Sequence, residues 1–284
     1  MNPALPPRRI WLCADDYGLS PGINRGIRDL IERRRLNATS VMVVGPAIRR
    51  DEVEALKTAV ATGPCAIGLH TTLTAPFHPL TMYFRPLHGG VFLPLGAMLR
   101  TSLLRRLDPE IVRGEIAAQL SAFAELFGRP PDYVDGHQHV QLFPQVRDAF
   151  LAAVKKAAPN AWVRQCGRTL PLSQKLQNPK ALLLDVLSAR FRVRCQQAGL
   201  AYNPGFAGAY DFTQSVDFGK VMPAFFEGLP DNGLVMCHPG FVDDVLIGLD
   251  PLTDQREREY AFIAGDDFPR LLAANVITLR EPAP

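Results

Sequence analysis

Five stretches of the chain put acids, imidazoles or a guanidinium where an apolar run stops. Arg9 to Ala14 (RIWLCA) ends in Asp15-Asp16, Ala66 to His70 (AIGLH) ends in a histidine, and Trp162 to Arg164 ends in an arginine. Gly233 to Cys237 (GLVMC) runs into His238-Pro239-Gly240, and Asp135-Gly136-His137-Gln138-His139 carries three titratable groups at alternate positions. Two adjacent carboxylates repel each other unless a cation lies beside them. A metal ion would resolve this for one of the Asp pair and leave the other free as a base. The competing reading is that one of them caps the following helix, or an Asx-turn at Gly18-Leu19-Ser20. His70 alone suits a hydrogen-bonded core histidine as readily as a ligand. On an extended strand residues 135, 137 and 139 share one face, and three such groups on a buried face are costly without a partner. That pattern favours a site.

One aspartate and two neutral imidazoles suit Zn²⁺ best, and Mg²⁺, Mn²⁺, Fe²⁺, Co²⁺ or Ni²⁺ less selectively. Three protein ligands leave positions open for water and substrate, as in a catalytic site. His238 is placed to act as a general acid or to be an ordinary turn histidine. Arg164 is placed to pair with Asp15 or to make a plain strand-end ion pair. His78 and His88 fall in a long polar stretch and read as surface residues.

The elements that must position these groups alternate. Strands are predicted at Arg9 to Ala14, Ser40 to Val44, Ala66 to His70, Tyr133 to Val140, Trp162 to Arg164, Gly233 to Cys237 and Val276 to Leu279. Helical spacing marks Gly22 to Arg35, which starts at Ser20 or Pro21, and then Asp51 to Ala61 and Pro109 to Phe127. It also marks Phe143-Pro144 through Lys156, Gln174 to Ala198, Phe218 to Phe226, Asp254 to Ala264 and Phe268 to Ala274. Repeated β-then-α units with apolar strands indicate a parallel sheet buried on both faces. About seven or eight strands in 284 residues suit a TIM-like (β/α) barrel, read as one domain over 1–284. In such a barrel the carboxyl ends of all strands open on one rim, so the five polar strand ends should meet. A doubly wound open sheet is the rival, but no G-x-G-x-x-G follows the first strand. Two long stretches, Thr71 to Asp108 and Leu170 to Gln197, are expected to border that rim, and a loop as long as the first is expected to be functional.

Composition narrows the function classes. With 47% hydrophobic and 21% charged residues the chain is an ordinary globular one. A net charge of +3 is too mild for nucleic-acid binding, and Arg33-Arg34-Arg35, Arg105-Arg106 and Arg190 to Arg194 read as solvated helix faces. Cys13, Cys65, Cys166, Cys195 and Cys237 form no C-x-x-C pair, which fits reduced thiols and a cytoplasmic enzyme. No signal peptide is read in Met1 to Arg9, and no apolar run approaches the roughly 20 residues of a spanning helix.

At Ala14-Asp15-Asp16-Tyr17-Gly18, Gly68-Leu69-His70 with Leu73-Thr74, Val134-Asp135-Gly136-His137-Gln138-His139-Val140 and Cys237-His238-Pro239-Gly240, the sequence resembles the YdjC-like carbohydrate deacetylases. These include chitooligosaccharide deacetylases. The motifs come in the family's order and span about residues 8 to 280; each is weak alone, and the ordered set is specific. Many relatives carry serine where this chain has Gly136. The resemblance implies a (β/α) barrel, often irregular or incomplete, one divalent metal (Mg²⁺ or Zn²⁺ foremost), and hydrolysis of N-acetyl groups on amino sugars. It implies Asp16, His70 and His137 as metal ligands, Asp15 as base and His238 as acid; Arg164, from its place at a strand end, is expected to support the base. His139 is the reserve ligand, and Asp135 a further ligand or substrate contact. Tyr17 and Thr72 are expected at the substrate, and Tyr17, Phe77, Tyr83 and Phe84 could stack on sugar rings or be loop core. The expected partner is an N-acetylated amino sugar or oligosaccharide, with a lipid-linked form and a homodimer left open. A hopanoid-associated branch of the family has a similar length. Two other readings remain: a metal-dependent phosphoesterase or other amidohydrolase on the same barrel, and a non-catalytic sugar-binding protein.

Overall fold

The computed structural model describes residues 6–169, 179–212 and 215–282. Its sheet runs in the order β5-β4-β3-β2-β1-β7-β6, every neighbouring pair parallel, with β8 paired to the start of β1. The strands are β1 (Arg8–Tyr17), β2 (Ala38–Val41), β3 (Ala66–Thr71), β4 (Tyr133–Gly136), β5 (Trp162–Val163), β6 (Phe206–Ala207), β7 (Leu234–Cys237) and β8 (Ile277–Leu279). The expected barrel is therefore present as a curled, open half-barrel. Among the described residues no ladder joins β5 to β6, and the single bridges Val163–Tyr202 and Arg168–Phe206 straddle that side.

The central strands β2, β3, β4 and β7 are buried at every position. Helices cover the outer face, so the strands read as continuous apolar runs rather than alternating ones. The helices of the described residues are α1 (Pro21–Glu32), α2 (Arg50–Thr62), α3 (Leu95–Leu103), α4 (Pro109–Phe127), α5 (Val146–Ala157), α6 (Pro179–Ala198), α7 (Phe218–Phe225), α8 (Asp244–Leu249), α9 (Asp254–Ala264) and α10 (Asp267–Ala274). The helix expected from Gln174 starts within residues 170–178, outside the described residues, and its described part is α6. Helix α4 spans the expected residues, with Pro109 in its first turn, Asp108 capping its N–H groups and left-handed Gly128 ending it.

One expected strand is cut short. Tyr133 to Val140 is extended only to Gly136, and His137–Leu142 forms a 3₁₀ turn with Gln138 and His139 at φ 54° and 60°. Gly136 permits the turn to fold back: a Cβ there would lie 2.6 Å from Gln141 Oε1. The 71–108 stretch is more ordered than its composition suggested. It holds α3, and two buried residues of α4 one turn apart fasten its start. Gln119 bonds both backbone groups of Thr72, and Glu115 accepts from the N–H groups of Leu80 and Thr81.

The foot of the half-barrel is filled by a column of flat groups. The Arg280 guanidinium lies over Trp11, Trp11 stacks on Trp162, and Trp162 stacks on Tyr133 at 4.4 Å. Gly68 makes room for the last ring, since a Cβ there would sit 2.4 Å from Tyr133. The Tyr133 hydroxyl is 2.9 Å from Cys13 Sγ, where the aromatic layer gives way to the polar one above it.

Candidate metal centre

The polar layer begins at the end of β1. Regular alternation would send the Asp15 and Asp16 side chains to opposite faces. Instead β1 advances three residues, Ala14 to Tyr17, while β2 advances two, Thr39 to Val41. This bulge is absorbed at Asp16, whose φ is 74°. Both carboxylates consequently reach one imidazole: His70 Nε2 is 3.4 Å from Asp16 Oδ1 and 4.0 Å from Asp15 Oδ2. Neither aspartate caps α1; Ser20 does, accepting from the Ile23 N–H.

His70, near the end of β3, has its ring fixed from behind. Its Nδ1 is 2.6 Å from Asp135 Oδ1 and 3.1 Å from Ser40 Oγ. Donation from Nδ1–H to Asp135 points Nε2 at Asp16, where its proton must leave before a metal can bind. His137, the first residue past β4, puts Nδ1 3.1 Å from Asp16 Oδ1. Asp16, His70 and His137 thus offer one oxygen and two nitrogens, all within 4.8 Å of one another. Donor separations of 3.1 and 3.4 Å suit a cation whose bonds to N and O are ~2.0–2.2 Å long. The donor set and its spacing therefore fit a first-row divalent ion or Mg²⁺.

The shared face expected for 135, 137 and 139 does not exist, because the strand ends at Gly136. His139 turns away from the cluster, its Nδ1 3.4 Å from Cys166 Sγ and its ring edge-on to Phe206. Its reserve role as a ligand is not supported by this position. Asp135 stands behind His70 rather than beside the cluster; its other oxygen pairs with Arg164 at 2.5 Å. Tyr17 and Thr72, expected at the substrate, are both fully buried. Tyr17 donates its hydroxyl to Glu52 O, and Thr72 donates its own to His70 O. Phe84 and Phe77 are likewise core, Phe84 packed against Phe92 and Phe77 edge-on to His137, whereas Tyr83 is exposed. His78 and His88 are on the surface, as expected.

Two fully buried arginines balance the carboxylates. Arg164 donates to both oxygens of Asp15 at 2.6 Å. Arg256, on α9, takes Asp16 Oδ2 at 2.7 Å and Asp250 Oδ2 at 2.8 Å. Sequence reasoning missed Arg256. Its helix, Asp254-Gln-Arg-Glu-Arg-Glu-Tyr260, reads as a solvated one, yet Gln255, Arg256 and Glu259 are all buried. Ser40 and Glu259 were missed as well, and neither lies in a recognisable motif.

Burial favours the neutral form of each acid, but the guanidiniums outweigh it. Asp15 is held below the usual carboxylate range by Arg164 and then His70. Asp16 is held well below it by Arg256 and His137. Burial would make His70 a weaker base, but Asp135 and Asp15 raise its pKa to about 10. His238, just past β7, is lowered to about 4, chiefly by burial, and its Nδ1 is buried with no hydrogen-bond partner among the described residues. Burial pushes Glu259 up to about 7.

Comparison with solved structures places this fold among known ones. The chain superposes on a proposed cellobiose-phosphate cleavage protein of Enterococcus faecalis with a TM-score of 0.73 at 20% identity, covering 97% of each chain. A lactam utilization protein of Thermus thermophilus aligns with a TM-score of 0.54 at 16% identity, over 96% of this chain and 100% of that one. At these identities the likeness concerns the fold alone. The model of the family described as YdjC-like protein matches residues 9–274.

Proposed function

Because this chain belongs to the YdjC-like family, we propose that it is a metal-dependent carbohydrate deacetylase that removes an acetyl group from the nitrogen of an amino sugar. The observation that carries the reading is the convergence on Asp16 Oδ1. His137 Nδ1 and His70 Nε2, from two other strand ends, lie 3.1 and 3.4 Å from that one oxygen. A divalent cation held by these three residues would acidify a water molecule and offer positive charge to the acetyl carbonyl oxygen.

The rest of the chemistry falls to the protein's own groups. Asp15 is kept ionised by Arg164 and stands one residue from the ligand Asp16, so it acts as the base for the attacking water. Arg164 also pairs with Asp135, so a single guanidinium aligns the base and the carboxylate that orients His70. His238 is neutral at rest, so the proton that Asp15 takes from the water must pass to it before it can protonate the departing amine. Negative charge growing on the substrate during attack favours that uptake. Products are acetate and a free amino sugar.

The phosphoesterase alternative needs cations free to hold a phosphate. Among the described residues, Arg256, which holds Asp16, and Arg164, which holds Asp15 and Asp135 beside the cluster, are both buried and committed to carboxylates. This favours an uncharged acyl substrate.

The test combines metal analysis with acetate release from a panel of N-acetylated mono- and oligosaccharides, divalent metals added singly. His70→Ala and His137→Ala should lose bound metal and turnover, while Asp15→Asn should keep metal and lose turnover. Unchanged metal content in both histidine variants would refute the assignment. Turnover of phosphate esters with none of acetylated sugars would refute the reaction.

A further inference from the structure

Among the described residues no hydrogen bond reaches Nδ1 of the His238 ring. What flanks it is a backbone N–H and an aromatic edge. The His238 N–H donates to Glu259 Oε2 at 2.5 Å, and the Phe212 ring lies edge-on to the imidazole at 5.2 Å. Phe212 is packed in turn against Tyr210, with ring centres 4.2 Å apart, and the Tyr210 hydroxyl donates to Glu259 Oε1 at 2.5 Å. Both supports of the imidazole therefore lead to one fully buried carboxyl group. Glu259 lies one helical turn beyond Arg256, which holds Asp16. Gln255, on the same buried face, bonds Val216 through both its oxygen and its nitrogen. One face of α9 thus grips a ligand of the metal cluster, the loop that carries Phe212, and His238.

We propose that Glu259 is a positioning residue: it fixes the backbone of His238 and, through Tyr210, the Phe212 ring against which the imidazole rests. This rests on the reading of His238 as the proton donor. Two acceptor oxygens are needed, one for each donor. A glutamine in place of Glu259 keeps one acceptor and gains a donor. The Tyr210 hydroxyl can reverse and accept, but the His238 N–H cannot. Glutamine therefore keeps the grip if its oxygen faces His238. Alanine loses both bonds and leaves two part-buried donors unsatisfied.

The experiment measures kcat, KM and metal content for acetate release by wild type, Glu259→Gln, Glu259→Ala and Tyr210→Phe. It also records the His238 ring signal by NMR, assigned with His238→Ala. Glu259→Ala should lower kcat about 10- to 100-fold, the scale of a roughly 1 Å misplacement, with KM and metal content unchanged and the His238 signal shifted or doubled. Glu259→Gln should stay within about 3-fold of wild type, because it preserves the bond to His238. Tyr210→Phe should fall between them, and it decides the matter if Glu259→Ala fails to fold. Wild-type kcat and an unmoved His238 signal in both Glu259→Ala and Tyr210→Phe would overturn the proposal. So would a loss in Glu259→Gln as large as in Glu259→Ala, which would make charge rather than position the cause. If wild type releases no acetate from any substrate, the functional reading fails. The His238 signal still decides the positioning role, because an unmoved signal in Glu259→Ala and Tyr210→Phe would refute it.

Discussion

Arg256 divides the two oxygens of Asp16 between two tasks. Its guanidinium nitrogen takes Oδ2 at 2.7 Å, so only Oδ1 faces the imidazoles of His70 and His137. Removing the guanidinium frees the second oxygen and strands a buried carboxylate. Arg256→Met is expected to cost about 3–5 kcal/mol of stability, the usual result of breaking a buried ion pair. Thermal unfolding with and without Zn²⁺ measures it. A loss below about 1 kcal/mol would mean that Asp16 does not depend on this partner.

Asp135 acts on the cluster only through His70. Asp135→Asn should leave the three ligand side chains in place and yet weaken metal binding by about 10- to 100-fold, as loss of a ligand's orienting partner does. Titration with Zn²⁺ against a competing chelator reads this out, and unchanged affinity would remove Asp135 from the account.

A proton should leave when metal arrives. Asp135 and Asp15 raise the pKa of His70 to about 10, against 6.5 for an unperturbed histidine. The folded chain therefore holds a proton that the unfolded chain releases. That contribution to stability is complete below about pH 6.5 and is lost as pH rises through about 10. A metal ion needs the bare Nε2, so binding near pH 8 should expel this proton. Calorimetric titration in buffers of different ionisation enthalpy measures the release. A value near zero in wild type, or one unchanged in His70→Gln, would contradict it.

His139 sits outside the cluster, so His139→Ala should keep full metal content while losing about 1–3 kcal/mol through the space left against Phe206 and Cys166. Metal analysis and thermal unfolding on one preparation test both halves. Loss of bound metal would return His139 to the ligand set.

Much of this was legible before the fold. The apolar runs ending in Asp15-Asp16, His70 and His238 gave three of the strand ends, because a strand buried on both faces has a composition that solvent-facing segments lack. The period-two reading failed at His137 and His139. Nothing in the residue types revealed that Gly136 lets the chain double back, and two consecutive left-handed residues carry no compositional mark when they are Gln and His. Tyr17 was misread for a related reason: the bulge that brings both aspartates to the rim also sends the next side chain into the core. Arg256 and Glu259 were hidden by their helix, where charges on the buried and the exposed faces look alike in a string of letters.

The left-handed backbone at Asp16 narrows what evolution can place there. Among side chains that bear a carboxylate, the shorter one visits that region far more readily than the longer. Glutamate would bring the right charge on a main chain that resists the bend. Asparagine would accept the bend without the charge, and glycine would accept it with no side chain at all. Two unrelated demands, one steric and one electrostatic, meet in a single residue type. Substitutions that pass as conservative elsewhere in the molecule have no foothold at this position.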